Sequence, residues 1–301
     1  MSRETEKVLK DLQQFLALHE DEVTDEESLE RLTSQFLSEY VVSPQRRENA
    51  TPESAEDYLA LAEQASSKKK CLEYLRKALK LDPTNVDAQL QLICHTMADK
   101  PDEQLPALQK LMAAAAEPLE EEGYFKRRIG SFWAIPKTRP YMRVRLAYFD
   151  ALISYGMIQR AIDEGKELIG LCKNDNLGVR YQLMHLYAYE KDELHALALH
   201  KQFGSYEETR MLLPLAVLYY KLNRFDRAEE YIHRLAAVNE DTEKFLLAAA
   251  ENELDQYLMD MDPYGFQPFT MDELLEDLMG SPYLFASVPY FFRWASSCLR
   301  T

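Results

Sequence analysis

Stacked antiparallel helical hairpins, with no sheet, are what this sequence predicts, and three observations carry that expectation. Glycine is scarce, nine in 301 residues, so an all-β chain of this size would lack the residues for its many short-interval turns, and good helix formers dominate instead. Apolar residues recur at three- and four-residue spacing from one end of the chain to the other. Small residues return at a longer interval near 34, the mark of a repeated supersecondary unit. With 47% apolar residues, 18 Tyr and 13 Phe, there is material to offset the entropy of ordering so much backbone.

The first 41 residues read as two amphipathic helices. Val8, Leu9, Leu12, Phe15 and Leu16 recur at helical spacing, and so do Leu29, Leu32, Phe36, Leu37 and Tyr40. Thr24 stands ahead of an acidic first turn, and Glu27 three residues later gives the spacing of a capping box. The acidic run over residues 20–30 reads as a solvated helix face. Val42 to Pro52, containing SPQRRENATP, reads as a polar connector. From Ser54 onward the helices come in pairs.

Aligning KKKCLEYLRKALKLDP, MIQRAIDEGKELIGLCKND and RFDRAEEYIHRLAAVNED places Cys71, Ala161 and Ala228 at equivalent points. Seven residues on stand Ala78, Leu168 and Leu235, and a helix-ending Asp or Asn cluster follows each. Ala161 and Ala228 lie 67 apart, with Ala196 between them. The physical reason for small residues there is steric: two helices and the next hairpin approach closely only where no bulky side chain intervenes. The unit from Leu212 shows the whole pattern, with Leu215, Ala216, Tyr219, Asn223 at the turn, Ala228, Ile232 and Leu235. In these residues the chain resembles the tetratricopeptide repeat family. The resemblance implies a right-handed superhelix of antiparallel hairpins whose first helices line a concave face. Leu212 replaces the family's first-helix Trp, and Gly165 and His200 stand where a large residue is usual. The peptide-tail clamp of some members is not implied, because Glu56 and Ala60 occupy positions that need basic and amide side chains.

Cys71 and Ala161 lie 90 apart, which is not a multiple of the period, so something is inserted between them. Pro118 to Met142, with three prolines and two glycines, is the segment that breaks the helical pattern. This segment, KNDNLGVRYQL and the ending SPYLFASVPYFFRWA are similar to a group of uncharacterised bacterial tetratricopeptide-repeat proteins, a likeness covering roughly Phe125 to the C-terminus that brings a fold and no activity. Towards that end, Thr270 is placed to cap a short acidic helix with Glu273 completing a capping box, after a polar-aromatic loop DPYGFQPF. The aromatics between Pro282 and Trp294 are expected to close the last apolar face. Boundaries are accordingly placed at 1–53 for an N-terminal hairpin cap, 54–117 for degenerate repeats, 118–142 for a basic aromatic connector, 143–250 for further repeats and 251–301 for a C-terminal cap.

Several functions lose support from composition. The MSRETEKVLK start is polar, which argues against a secretory leader. The longest apolar run, Met211 to Tyr220, is interrupted by Pro214 and falls far short of the ~20 residues of a bilayer span. Cys71, Cys94, Cys172 and Cys298 form no C-x-x-C pair, so neither a disulfide framework nor a zinc site is expected, and a reducing cytoplasm fits best. His195 and His200, five apart, do not share a helix face as two metal ligands at i, i+4 would, while His185 and His233 sit in apolar-periodic helices and read as packed or surface residues. No phosphate loop, dinucleotide fingerprint or nucleophile elbow occurs, so neither a cofactor nor enzymatic chemistry is expected.

Charge gives the strongest functional signal. Net charge is −16, with 16 acids against 6 bases in residues 1–66 and 12 acids against the single Lys244 in residues 239–280. Between Gly123 and Phe149 the balance reverses, with Lys126, Arg127, Arg128, Lys137, Arg139, Arg143 and Arg145 and no acid. Arginine forks suit carboxylates and phosphates, and Phe125, Phe132, Trp133 and Tyr141 offer flat surfaces for stacking. The same residues also suit internal packing, with the aromatics filling the break and the arginines paired to acids of this chain or of a second copy by self-association. Asn174, Asp175, Asn176 and Arg180 form a second polar cluster, read first as a helix breaker and cap, and alternatively as partners of Arg143 on one face. The expected function is therefore a non-enzymatic module binding a protein or peptide partner in a groove, through Arg127, Arg128, Trp133, Arg139, Tyr141, Arg143, Asn176 and Arg180. The alternative is a regulator touching nucleic acid or another polyanion through residues 123–149, against which the net negative charge argues.

Overall fold

The computed structural model describes residues 3–42, 52–261 and 265–300. The polar connector expected after Val42 and the start of the DPYGFQPF loop lie outside them. Among the described residues there is no strand, only an isolated bridge between Ser131 and Cys172. The helices are α1 (Arg3–Leu18), α2 (Glu26–Val42), α3 (Ala55–Glu63), α4 (Lys68–Leu81), α5 (Val86–Thr96), α6 (Pro101–Glu121), α7 (Tyr124–Arg127), α8 (Arg139–Ser154) and α9 (Ile158–Leu171). They continue as α10 (Val179–Glu190), α11 (Glu193–Gln202), α12 (Thr209–Lys221), α13 (Phe225–Val238), α14 (Thr242–Glu251), α15 (Asp255–Asp260), α16 (Met271–Gly280), α17 (Pro282–Ala286) and α18 (Phe291–Cys298). Two compact units result, Met1–Ala107 with Ala134–Pro140, and Leu108–Trp133 with Tyr141–Thr301.

In the first unit the spacing of apolar residues becomes burial. Leu32 and Phe36 are buried on α2, while Leu29 and Leu37 stay on its exposed rim. The cap of α2 is one residue later than Thr24 and Glu27 suggested. Asp25 Oδ1 accepts the backbone N–H of Ser28 at 2.8 Å, and Ser28 Oγ accepts from the N–H groups of Thr24 and Asp25 at 3.0 Å. Aspartate caps as well as threonine, and Ser28 completes the reciprocal pair that Glu27 was expected to make. Ser54 and Asp57 form a full capping box on α3, and Ala55, Leu59, Ala62, Cys71, Leu75, Ala78 and Ala88 make one apolar core with the helices that follow.

The second unit repeats one construction. In α8/α9, α10/α11, α12/α13 and α14/α15, a residue with left-handed backbone ends the first helix: Gly156 (φ +70°), Lys191 (+59°), Asn223 (+63°) and Asn252 (+60°). The next N–H then returns to a carbonyl five residues back, as Met157 to Leu152, Asp192 to Tyr187, Arg224 to Tyr219 and Glu253 to Ala248, at 2.8 to 3.0 Å. This is the Schellman closure that satisfies end carbonyls, and its recurrence fixes the hairpin angle. At the small positions Ala161, Ala196 and Ala228 exposure is zero. Gly165 takes a large residue's place because a Cβ there would meet Leu183 Cγ at 2.8 Å and Phe149 Cε2 at 3.0 Å. His200 bridges instead of packing apolar bulk, its Nε2 lying 3.0 Å from the Tyr206 carbonyl oxygen.

Pro118 does not start the break. Helix α6 runs through it to Glu121, since Leu108, Leu111, Ala115 and Leu119 bury a helical stripe whose gain exceeds the roughly 3 kcal/mol of one interior proline. The chain turns only at Gly123, with φ +74°. At the other end Thr270 precedes α16 as expected, but its hydroxyl donates to the Gln267 carbonyl. Asp241 Oδ2 accepts the Met271 N–H at 2.9 Å in its stead, and Glu273 reaches back to the Phe269 N–H at 2.7 Å.

The C-terminal aromatics do more than close the last hairpin. While α18 packs on α13 and α14, α16 lies on α12 and α14, and α17 on α10. The first helices of three hairpins are thus covered by the chain's own end.

Ala228 is fully buried on α13, which packs against α12, so Ala228→Leu forces overpacking and is expected to cost about 1–3 kcal/mol. Chemical denaturation checks this, and an unchanged midpoint would contradict the alignment of small positions.

Candidate interaction site

The cations of residues 123–149 divide into an inner and an outer set. Arg139 belongs to the first unit, is 2% exposed, and holds Glu6 Oε1 at 3.2 Å from Nη1. Arg145, on α8 in the second unit, forms a two-pronged pair with Glu164 of α9: Nε to Oε1 at 2.5 Å and Nη2 to Oε2 at 3.0 Å. Its Nη1 donates to the Tyr141 hydroxyl at 3.3 Å. Tyr141 is itself buried, its ring 5.5 Å edge-on to Phe125 and 6.2 Å from Phe132, and burial pushes its hydroxyl pKa above the ordinary value. Phe132, fully buried, lies 5.0 Å from Phe125. This triad fills the interior of the break.

Lys126, Arg127 and Arg128 face solvent, beside Ile129, which is 58% exposed. The turn that carries them is held by Phe125 from within and by the Lys173 N–H, which donates to the Gly130 carbonyl at 3.0 Å. Arg127 also donates to the Glu122 carbonyl. Trp133 and Arg143 are half-buried. Asn176 is exposed in the loop between α9 and α10, where it accepts from Cys172 Sγ at 3.4 Å.

Arg180 heads α10 in a network of its own. Asp175, nearly buried, accepts from the N–H groups of Val179 and Arg180 at 2.8 and 3.0 Å and from Arg180 Nη1 at 3.2 Å, so it caps the helix and fixes the guanidinium together. The guanidinium stacks over Tyr181 at 4.2 Å and Phe203 at 5.2 Å and reaches Glu208 at 3.5 Å. These partners come from α10 and the loops beside it, and α8, which carries Arg143, supplies none.

What the sequence reading missed lies where α16 and α17 meet α10 and α12. Gln182, His185 and Tyr189, at i, i+3 and i+7, make one face of α10. His185 is fully buried, with Nδ1 2.7 Å from the Tyr181 carbonyl oxygen and Nε2 3.1 Å from Asp277 Oδ2 of α16. Both ring nitrogens thus face oxygens. Arg210 of α12 donates from Nε to Asp277 Oδ1 at 3.3 Å, its guanidinium 4.4 Å over the Tyr181 ring. Lys221 donates to the Tyr189 carbonyl at 2.7 Å and to Ser287 Oγ at 3.1 Å, and burial lowers its pKa. The one signal in the sequence was this polar spacing on an otherwise apolar helix.

No protein-family model matches the sequence, and no curated protein matches it. Among solved structures the chain is similar to the crystal structure of MamA protein, with 17% identity over 63% of this chain and 94% of that one, at a TM-score of 0.45. The likeness is distant and bears on no site.

Glu164→Ala removes the two-pronged partner of the buried Arg145, leaving only Glu167 at 3.9 Å, and is expected to cost up to about 3–5 kcal/mol, whereas Arg145→Met with Glu164→Leu restores most of it. Equilibrium denaturation of the single and double variants checks this. Burial pushes Tyr181 and Tyr187 up to about 12, while an unfolded tyrosine ionises near ~10. In that window the folded chain keeps protons the unfolded chain has lost, so stability is whole below about pH 10 and falls as pH rises toward 12. Urea midpoints measured across that window follow it, and Tyr187→Phe is expected to flatten the fall.

Proposed function

We propose that this chain is a non-enzymatic helical-repeat module that binds an acidic segment of a partner protein at the corner formed by Lys126, Arg127 and Arg128. The carrying observation is the outer set of cations. Three consecutive bases and the exposed Ile129 stand on a turn tied to the fold by Phe125 and Gly130, in a molecule whose net charge is −16. A fixed cationic corner on an acidic protein orients an acidic partner and repels other approaches. The hairpin array supports the same reading, since stacked repeats provide extended rigid surfaces.

Nucleic acid is a weaker occupant for this stretch. Arg139 and Arg145 are engaged within the protein, so fewer cations remain for phosphates than the sequence count suggested. Lys126→Glu with Arg127→Glu and Arg128→Glu is expected to abolish affinity capture of the partner from a lysate of the source cells, with the melting temperature unchanged. Capture by the wild-type chain should also weaken as salt rises through a few hundred mM. Equal capture by the variant would overturn the assignment. Salt-dependent binding of an oligonucleotide, lost in the variant, would favour the nucleic-acid reading.

A further inference from the structure

Away from that corner, α16 shows what the face of α10 and α12 is shaped to hold. We propose that this face is a receptor for an acidic amphipathic helix of a partner protein, and that α16 occupies it in cis. The seat has a charged half and an apolar half. In the charged half, His185 Nε2 and Arg210 Nε approach the two oxygens of one carboxylate, Asp277, at 3.1 and 3.3 Å, and that carboxylate is 1% exposed. A buried carboxylate held from two sides fixes register more than it adds stability, since apolar residues in such places often stabilise more. In the apolar half, Met271, Leu274 and Leu275 turn inward at helical spacing.

The end of the helix is read as well. Gln182 Nε2 donates to the Gly280 carbonyl at 3.2 Å, and its Oε1 accepts from the Ser281 hydroxyl at 3.1 Å. The occupant's chemistry is thereby specified: a helix with an apolar stripe, a carboxylate three residues after the central leucine, and a free carbonyl end. Helix α16 carries four acids and no base, the complement of Arg210. Because α12 buries every residue from Met211 to Tyr219, exchange of one helix for another is favoured over leaving the face bare.

A labelled peptide spanning residues 267–290, titrated onto the full-length chain and followed by fluorescence anisotropy, tests this. Asp277→Asn in the chain weakens the occupant in cis, so the wild-type peptide is expected to bind that variant at least tenfold more tightly than the wild-type chain. Adding Arg210→Ala, or replacing the peptide's own Asp277 by Lys, is expected to reverse that gain. Leu274→Ala in the chain loosens α16 by the apolar route and should give the same gain with the charged seat intact, provided circular dichroism shows native helix content. Equal affinity for wild-type and loosened chains, or indifference to Arg210 and to the peptide carboxylate, would overturn the proposal. So would a loosened chain that dimerises at the concentrations used, since the occupant would then be a second copy.

Discussion

Helix α12 is buried over most of its length: every residue from Thr209 to Tyr219 except Arg210 is out of solvent, and Tyr220 and Lys221 are half-buried. A helix that is apolar all round has no solvent face, so each side must be covered by another element. The hairpins on either side cover two of them, through α10 and through α13. The remaining side falls to α16, which is why the chain returns over its own first helices instead of ending at α15. Pro214 sits inside α12 without ending it, as packing on all sides outweighs one missing hydrogen bond. The position of His185, Arg210 and Asp277 follows from this demand, since a helix laid along that side brings its charged edge against theirs.

Close approach is the second constraint, and it is local. Ala161, Ala196 and Ala228 let paired helices meet, and Gly165 goes further by giving up its Cβ where Leu183 and Phe149 press against the backbone. The left-handed residues at the hairpin turns then set the direction of return. Small residue, tight turn and capped junction together make each unit, so its angle is determined within one repeat.

Electrostatics organises what packing leaves free. A chain with so large a negative charge repels itself, and Arg139 and Arg145 relieve part of that by pairing with Glu6 and Glu164 inside the fold. Arg180 does similar work for Asp175 and Glu208. Of the bases between Gly123 and Phe149, Lys126, Arg127 and Arg128 stay together at the surface, with Lys137 exposed as well.

Helical class, hairpin pairing and the small contact positions were determined by the sequence itself, because each depends on residues within one turn or one hairpin of each other. Ala228 and Asn223 carry their meaning in their own neighbourhood, as does the Asp175 cap. Which of seven cations would face inward was decided only by the tertiary structure: Arg139 and Glu6 lie 133 residues apart, and a carboxylate so distant leaves no periodic trace. The same holds for His185 and Asp277, 92 residues apart, which read separately as a packed or surface histidine and one acid of a short acidic helix. Their pairing exists because α12 must be covered on its last side, and that requirement belongs to the assembled core.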